Sequence, residues 1–161
     1  MKKPDIDEIM QNIKAKYGSL EEPRFDFVLS ERNRGNVIFQ LQAFCSENGY
    51  SIQNLSYGDD EMCFSYWITL GNIRYILELS MIGPYVFLIK HDEKENKFTL
   101  ITTSLDAINE FEKKLVELLK DLVLMDKEIL LAPVKLKLFV TAPERTMIYH
   151  ALFSDNDIIP L

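Results

Sequence analysis

The residues of this sequence whose side chains could perform chemistry are few and scattered. The two histidines, His91 and His150, lie in different segments, and the chain contains neither a Cys-x-x-Cys nor a His-x-x-x-His pair of metal ligands. Asp59, Asp60 and Glu61 follow a glycine, an arrangement more typical of a solvated turn than of a cation site. We therefore expect neither a metal ion nor another cofactor.

Covalent catalysis requires a nucleophile with a base beside it, and the sequence does not assemble such a pair. Cys45 falls on the apolar side of a predicted helix, where a thiol is usually buried and unreactive. Cys63 falls on a predicted strand, with no histidine adjacent to it in the expected register. The chain also lacks a glycine-rich phosphate loop and a Gly-x-Ser-x-Gly nucleophile elbow. These observations favour a protein without enzymatic activity.

Glu78 is the one acid well inside a predicted central strand. The expected register places Ser65 opposite this carboxylate and Trp67 diagonal to it. If the strand face is covered, burial beside an aromatic ring would raise the pKa of Glu78 and suit it to acid–base chemistry. If the face is open to water, Glu78 is an ordinary exposed acid.

These residues are positioned by a hairpin whose strands, residues 62–70 and 73–81, are joined by Gly71-Asn72. A two-residue Gly-Asn loop fits a type II′ turn, because glycine adopts a positive φ without steric cost. Side chains alternate along a strand, so this turn predicts that Phe64 faces Leu79 and that Trp67 faces Ile76. Ten apolar side chains then share one face, the apolar face: Met62, Phe64, Tyr66, Ile68, Leu70, Ile73, Tyr75, Leu77, Leu79 and Met81.

The opposite face of the hairpin, which we call the mixed face, combines apolar, polar and charged side chains. It carries Cys63, Ser65, Trp67, Thr69, Arg74, Ile76, Glu78 and Ser80. A two-residue loop at Gly83-Pro84 would add Phe87 and Ile89 to this face. A longer loop could instead place Val86 and Leu88 there.

Two interpretations of the mixed face are open. Trp and Arg are enriched in interface hot spots, so the face could bind a protein partner. Alternatively, a helix or the C-terminal segment covers the face as a second core. The residues predicted to bind a partner are Trp67, Arg74, Ile76 and Glu78, together with the acidic turn Asp59, Asp60 and Glu61.

The remaining patterns predict an α+β fold in a single domain of residues 1–161. Helices are predicted at residues 5–17, 37–48, 105–124 and 144–153. Further strands are predicted at residues 24–29, 50–57, 85–91, 98–102 and 134–140. Short connections favour an antiparallel β-meander of about five or six strands. Two N-terminal helices, one long helix and a short C-terminal helix pack on this sheet, and residues 154–161 are interpreted as a tail.

Composition restricts the functional class further. The chain has 161 residues, of which 25 are acidic and 18 basic, so its net charge is −7. This charge disfavours a nucleic-acid surface and permits a basic protein partner. The chain has no apolar run of about 18 residues, so we expect no membrane helix. Its N-terminal residues lack the apolar core of a signal peptide, which predicts a cytoplasmic location.

These features predict a non-enzymatic protein-binding module, of the small acidic immunity type that inhibits a basic toxin. The order of helix, glycine, tyrosine, strands and long helix resembles the layout of bacterial secretion-chaperone domains. One alternative is accordingly a dimeric secretion or folding chaperone that holds an extended client on an apolar sheet face. Another is a small-ligand binder or enzyme that uses Glu78, Arg74 or His91 in a pocket between sheet and helices.

Overall fold

The computed structural model describes residues 3–33, 37–56, 61–156 and 161. Within these residues the chain forms an α+β fold of six helices and a six-stranded sheet. The helices are α1 (Ile6–Tyr17), α2 (Phe27–Arg32), α3 (Val37–Glu47), α4 (Glu110–Leu118), α5 (Lys127–Leu130) and α6 (Ile148–Leu152). The strands are β1 (Ser51–Asn54), β2 (Cys63–Leu70), β3 (Ile73–Ser80), β4 (Tyr85–Asp92), β5 (Lys97–Leu100) and β6 (Val123–Leu124).

The central hairpin has the predicted register. Phe64 pairs with Leu79, and Trp67 pairs with Ile76, on adjacent strands β2 and β3. Gly71 in the turn has a φ of +57°, a conformation that costs glycine less than any other residue. The two-residue turn therefore sets which side chains share a face within β2 and β3, as the sequence predicts. Met62 and Met81, which lie just beyond the ends of these strands, were also predicted on the apolar face but belong to the core on the opposite face.

The sheet departs from a pure antiparallel meander at its sixth strand. Strands β1 to β5 are antiparallel neighbours in chain order, whereas β6 pairs with β4 in parallel. Strand β5 covers only the second half of β4, so the backbone groups at the start of β4 need other partners. The N–H of Val123 donates to the carbonyl of Pro84 at 2.7 Å, and that of Met125 to Val86 at 2.9 Å. The sheet is consequently mixed.

Both faces of the sheet are covered by other parts of the chain. On the apolar face, Tyr66, Tyr75 and Leu77 share a core with Leu41 of α3 and Leu115 of α4. A second core on the mixed face contains residues of α1, α5, α6 and the segments beside them. Burying each large apolar side chain contributes about 1.5–3 kcal/mol, so packing on two faces holds the helices to the sheet.

The prediction of a strand at residues 24–29 is wrong, because Phe27–Arg32 forms helix α2. Phe25 and Phe27 both direct ring edges at Tyr17, with centroid separations of 5.5 and 5.3 Å. Three alternating apolar residues are too short a pattern to distinguish a strand from packing around one ring.

The prediction of one long helix over residues 105–124 is also wrong. Helix α4 begins at Glu110, where Asn109 and Glu112 form a capping box. Leu105 and Ile108 lie in the segment predicted to be helical, but they precede α4 and are 92% and 77% exposed. The preceding loop is held instead by the carboxylate of Asp106, which accepts the backbone N–H of Thr102 at 2.9 Å and of Thr103 at 2.8 Å.

The segment 134–140 was predicted to be a strand with Val134, Leu136, Leu138 and Val140 on one face, but it does not form a strand. Its burial alternates only over residues 134–138, and Val140 is 68% exposed. Val134, Leu136 and Leu138 are buried, while Lys135 and Lys137 are exposed. The backbone hydrogen bonds of this segment are made with irregular segments. The N–H of Val134 donates to the carbonyl of Thr146, and that of Lys137 donates to the carbonyl of Leu20, both at 3.0 Å. The last predicted helix, 144–153, is shortened to α6, and α5 was not predicted.

Asp155 lies at the start of the segment interpreted as a tail. Asp155 is only 2% exposed. The carboxylate accepts the backbone N–H of Val140 at 2.6 Å and of Thr141 at 2.8 Å. These two hydrogen bonds hold Asp155 against the loop that follows residue 138.

We expect Asp155→Ala to lower the free energy of unfolding by about 1–3 kcal/mol, because two backbone donors lose their acceptor. Asp155→Asn keeps one carbonyl oxygen and should lose about half as much. Urea denaturation measures both, with Asp121→Ala, at an exposed acid, as a control that should stay within about 0.5 kcal/mol of the wild type. A wild-type midpoint for Asp155→Ala would contradict this assignment.

Among the described residues, no helix has the combination of length and apolar composition that crossing a bilayer requires.

Candidate functional site

The mixed face of the hairpin is divided into a covered inner part and a half-buried outer end. In the inner part Cys63, Ser65, Ile76 and Glu78 are all buried. Phe87 joins them, because Glu78 pairs with Phe87 across β3 and β4. The interpretation of this face as a second core therefore holds for its inner part.

The loop between β3 and β4 contains the four residues 81–84, rather than the two that the glycine and proline suggest. Both loop lengths are even, so Phe87 and Ile89 fall on the mixed face in either case. The rings of Tyr149 and Phe153 cover Phe87, at centroid distances of 5.3 and 6.1 Å. The C-terminal segment thus closes the inner part.

Glu78 is a buried acid inside this closed region. Its Oε2 accepts a hydrogen bond from the Tyr149 hydroxyl at 3.2 Å. Burial raises the pKa of Glu78 to about 7, opposed by this hydrogen bond and assisted by the negative charge of Glu61. Burial, with the charges of Glu78 and Glu61, also raises the pKa of Cys63 well above its usual value. The thiol is therefore protonated and a poor nucleophile at neutral pH.

The outer end of the mixed face is a row of side chains that crosses the sheet. Arg74 pairs with His91 between β3 and β4, and His91 pairs with Phe98 between β4 and β5. Trp67 lies diagonally beside Arg74, which pairs directly with Thr69 on β2. Trp67, Arg74, His91 and Phe98 are all half-buried, and we call these four residues the Trp67 surface.

The contacts within the Trp67 surface hold its side chains in place. The Arg74 guanidinium carbon lies 4.3 Å from the centroid of the Trp67 ring. An amino group of the same guanidinium lies 2.6 Å from a carboxylate oxygen of Glu93. The His91 and Phe98 rings stack with centroids 4.1 Å apart and planes only 3° from parallel. The surface therefore presents stacked rings and an oriented cation on rigid strands.

The structure brings together only part of the predicted partner-binding set. Trp67 and Arg74 are adjacent on the outer end, whereas Ile76 and Glu78 are buried in the inner part. Glu61 forms an isolated β-bridge with Ser154 and contributes to the electrostatics of Glu78. Asp59 and Asp60 lie outside the described residues.

Phe98 belongs to this surface but was absent from the predicted set. The sequence predicts this position only weakly, because the face on which Phe98 lies depends on the lengths of two successive loops. An error of one residue in either length would place Phe98 on the opposite face. The sequence analysis considered His91 as a metal ligand without a partner and as a residue of a pocket between sheet and helices. Its pairing with Arg74 follows from the β3–β4 register.

The other titratable candidates have structural contacts. His150 accepts the backbone N–H of Met147 on its Nδ1 at 3.0 Å, which caps α6. Cys45 is buried, and burial raises the pKa of its thiol to about 11. In the part of the chain that the structure describes, no three His, Cys, Asp or Glu side chains are grouped so that they could hold a metal ion.

Three cavities formed by described residues have volumes of 340, 270 and 120 Å³. The smallest is lined by Lys90 and Glu112, on the apolar face of the sheet. None of the three is lined by Glu78, Arg74 or His91. These cavities therefore do not create the pocket that an enzyme using those residues would need.

Comparison of the chain with protein-family models, with curated proteins and with solved structures found no significant match.

Proposed function

We propose that this protein is a non-enzymatic protein-binding module, a small acidic inhibitor that neutralises a basic protein toxin in the cytoplasm. The observation that supports the proposal is the Trp67 surface, a half-buried row of aromatic and cationic side chains beside an otherwise covered sheet. Aromatic and arginine side chains in such settings contribute most of the energy of many protein interfaces.

Rigidity makes the Trp67 surface suitable for binding. Arg74 is already restrained by the Trp67 ring and by Glu93, so a partner loses little free energy in ordering it. The net charge of −7 would accelerate the approach of a basic partner by long-range attraction. The surface supplies local contacts, while the overall charge supplies the steering.

The inhibitor proposal fits the structure better than a chaperone that clasps a client on its sheet. Both sheet faces are packed against the chain's own helices and C-terminal segment over most of their area. The edge strands β1 and β5 contain four residues each, which leaves little backbone for an added strand.

We expect Trp67→Ala to weaken binding of the partner by about 30-fold or more, the loss that defines a hot-spot residue. The tagged protein first captures the partner from the source cells, and mass spectrometry identifies it. Affinities are then measured with purified proteins at increasing NaCl concentrations, and they should decrease as salt screens the charges.

Leu70→Ala is the matched control, because Leu70 lies on the same strand, points to the opposite face and is 49% exposed. It should bind like the wild type. An affinity that is independent of salt, together with equal binding by Trp67→Ala and Leu70→Ala, would refute the proposal.

A further inference from the structure

A cavity of about 270 Å³ opens between the turn that contains Glu21, Glu22 and Pro23 and the extended segment ending at Phe139. We call it the Phe139 slot. It shares no lining residue with the Trp67 surface.

Aromatic rings form one side of the Phe139 slot. The ring of Phe139 lies 4.7 Å from that of Phe25, centroid to centroid, with the planes inclined by 34°. Phe139 is 71% exposed, and the adjacent Val140 is 68% exposed. Exposed aromatic faces attract cations and gain free energy when an aliphatic chain covers them.

Two acidic residues, Glu21 and Glu22, line the other side of the slot. Glu21 and Glu22 are both exposed, and their backbone N–H groups donate to the Ser19 hydroxyl oxygen at 3.2 and 3.1 Å. The turn that carries the two carboxylates is thereby fixed. Lys137 is the one cationic residue that lines the slot, so the lining contains two acidic residues and one basic residue.

Hydrogen bonds hold the two sides in place before any ligand binds. The backbone N–H of Lys137 donates to the carbonyl of Leu20 at 3.0 Å, which joins the extended segment to the acidic turn. Asp155 anchors the backbone just beyond Phe139 through the N–H groups of Val140 and Thr141. A preformed slot loses less free energy on binding than one that must order itself.

We propose that the Phe139 slot receives the side chain of a lysine or arginine from a protein partner. The aliphatic part of that side chain lies against Phe25 and Phe139, and its charged end meets Glu21 and Glu22. An anion would be repelled by the two carboxylates, and a purely apolar side chain would desolvate them without giving them a partner. The inference adds the chemistry of a second contact with a basic partner and does not depend on the Trp67 surface.

Short peptides test this assignment directly. We would titrate the ¹⁵N-labelled full chain with acetylated and amidated pentapeptides, Gly-Gly-X-Gly-Gly, in which X is arginine, lysine, citrulline, norleucine or glutamate. The arginine and lysine peptides should shift the amide signals of residues 21–25 and 137–141 with dissociation constants of about 1 mM, as expected for one side chain. The other three should bind at least severalfold more weakly.

Variants that remove either negative or positive charge from the slot distinguish a cation site from a general apolar groove. The double substitution Glu21→Gln and Glu22→Gln should weaken binding of the arginine peptide by about three- to tenfold, and Phe139→Ala by about two- to fivefold. Lys137→Met should strengthen binding, because it removes the competing positive charge. Glu128→Gln and Leu105→Ala change an exposed acid and an exposed apolar residue elsewhere and should have no effect.

Equal shifts from norleucine and arginine would overturn the proposal, and so would preference for the glutamate peptide or weaker binding by Lys137→Met. Unchanged signals from the rest of each variant show that it is folded. Trp67→Ala should leave the peptide titration unchanged. Failure of the slot is therefore distinguishable from failure of the proposed function.

Discussion

Glu112→Leu is expected to lower the free energy of unfolding by about 3 kcal/mol, the lower end of the range for breaking a buried ion pair. Glu112 is 1% exposed, and its Oε1 lies 2.7 Å from the ammonium of Lys90. The same oxygen accepts a hydrogen bond from the Tyr75 hydroxyl at 2.7 Å. The lower end applies because the Lys90 side chain is 21% exposed and keeps some contact with water.

The second carboxylate oxygen of Glu112 explains why leucine cannot replace it. Its Oε2 accepts the backbone N–H of Ile108 at 2.6 Å and that of Asn109 at 3.3 Å. These are the donors that shape the loop before α4. Leucine fills the space but leaves the donors and Lys90 without an acceptor.

Glu112 also makes stability depend on acidity. Burial acts to raise the pKa of Glu112, but hydrogen bonds from Lys90, Tyr75 and the loop backbone outweigh it and lower the pKa. A carboxyl whose pKa is lower in the folded state stabilises the fold above its unfolded pKa, and this contribution is lost as the pH falls through the folded value. The stability difference between wild type and Glu112→Leu should therefore shrink at acid pH.

Urea denaturation at pH 7 and below pH 4 measures both effects. The control is Glu117→Leu, at an exposed residue on the same helix whose ion pair with Lys120 is solvated. It should change stability by less than about 0.5 kcal/mol. Equal losses from Glu117→Leu and Glu112→Leu would contradict the role assigned to the buried carboxylate.

Glu78→Gln is expected to remove a decline in stability that the wild type shows between about pH 4.5 and 7. Burial raises the pKa of Glu78 from 4.5 to about 7, so in this interval the folded state holds a proton that the unfolded state has lost. Stability then decreases as the pH rises and becomes level above the folded pKa. A shift of this size corresponds to roughly 3 kcal/mol.

Charged and titratable groups near Glu78 act on the same equilibrium. Glu61 raises its pKa, and the Tyr149 hydroxyl lowers it by donating a hydrogen bond. Cys63 and Tyr149 titrate far above this interval, because burial raises the pKa of each. Neither residue titrates between pH 4.5 and 7, so the part of the pH dependence that Glu78→Gln removes belongs to Glu78.

The measurement is a series of urea denaturations from pH 4.5 to 8. The curve for Glu78→Gln should be flatter than that of the wild type, because glutamine keeps an oxygen for Tyr149 and does not ionise. Glu95→Gln, at an exposed acid, should follow the wild-type curve. If the Glu78→Gln and wild-type curves are parallel, Glu78 titrates alike in the folded and unfolded states and the assignment is wrong.

The amino-acid sequence by itself determined the local features of this protein. Gly71-Asn72 defined the hairpin register, because a two-residue turn leaves one way for the strands to pair. Asp5 capped α1 through the backbone N–H groups of Asp7 and Glu8. Alternation over residues 134–138 correctly indicated which side chains are buried. Each of these features depends on residues close together in the chain.

Only the tertiary structure decided which part of the mixed face is covered. The rings that close it, Tyr149 and Phe153, come from about 60 residues beyond Phe87, and no local pattern specifies that contact. The start of α4 has both kinds of cause, because the local capping box of Asn109 and Glu112 begins the helix and contacts from Lys90 and Tyr75 on the sheet hold Glu112 in place. Periodicity reports how a segment could bury its own apolar side, whereas long-range contacts select which partner it meets.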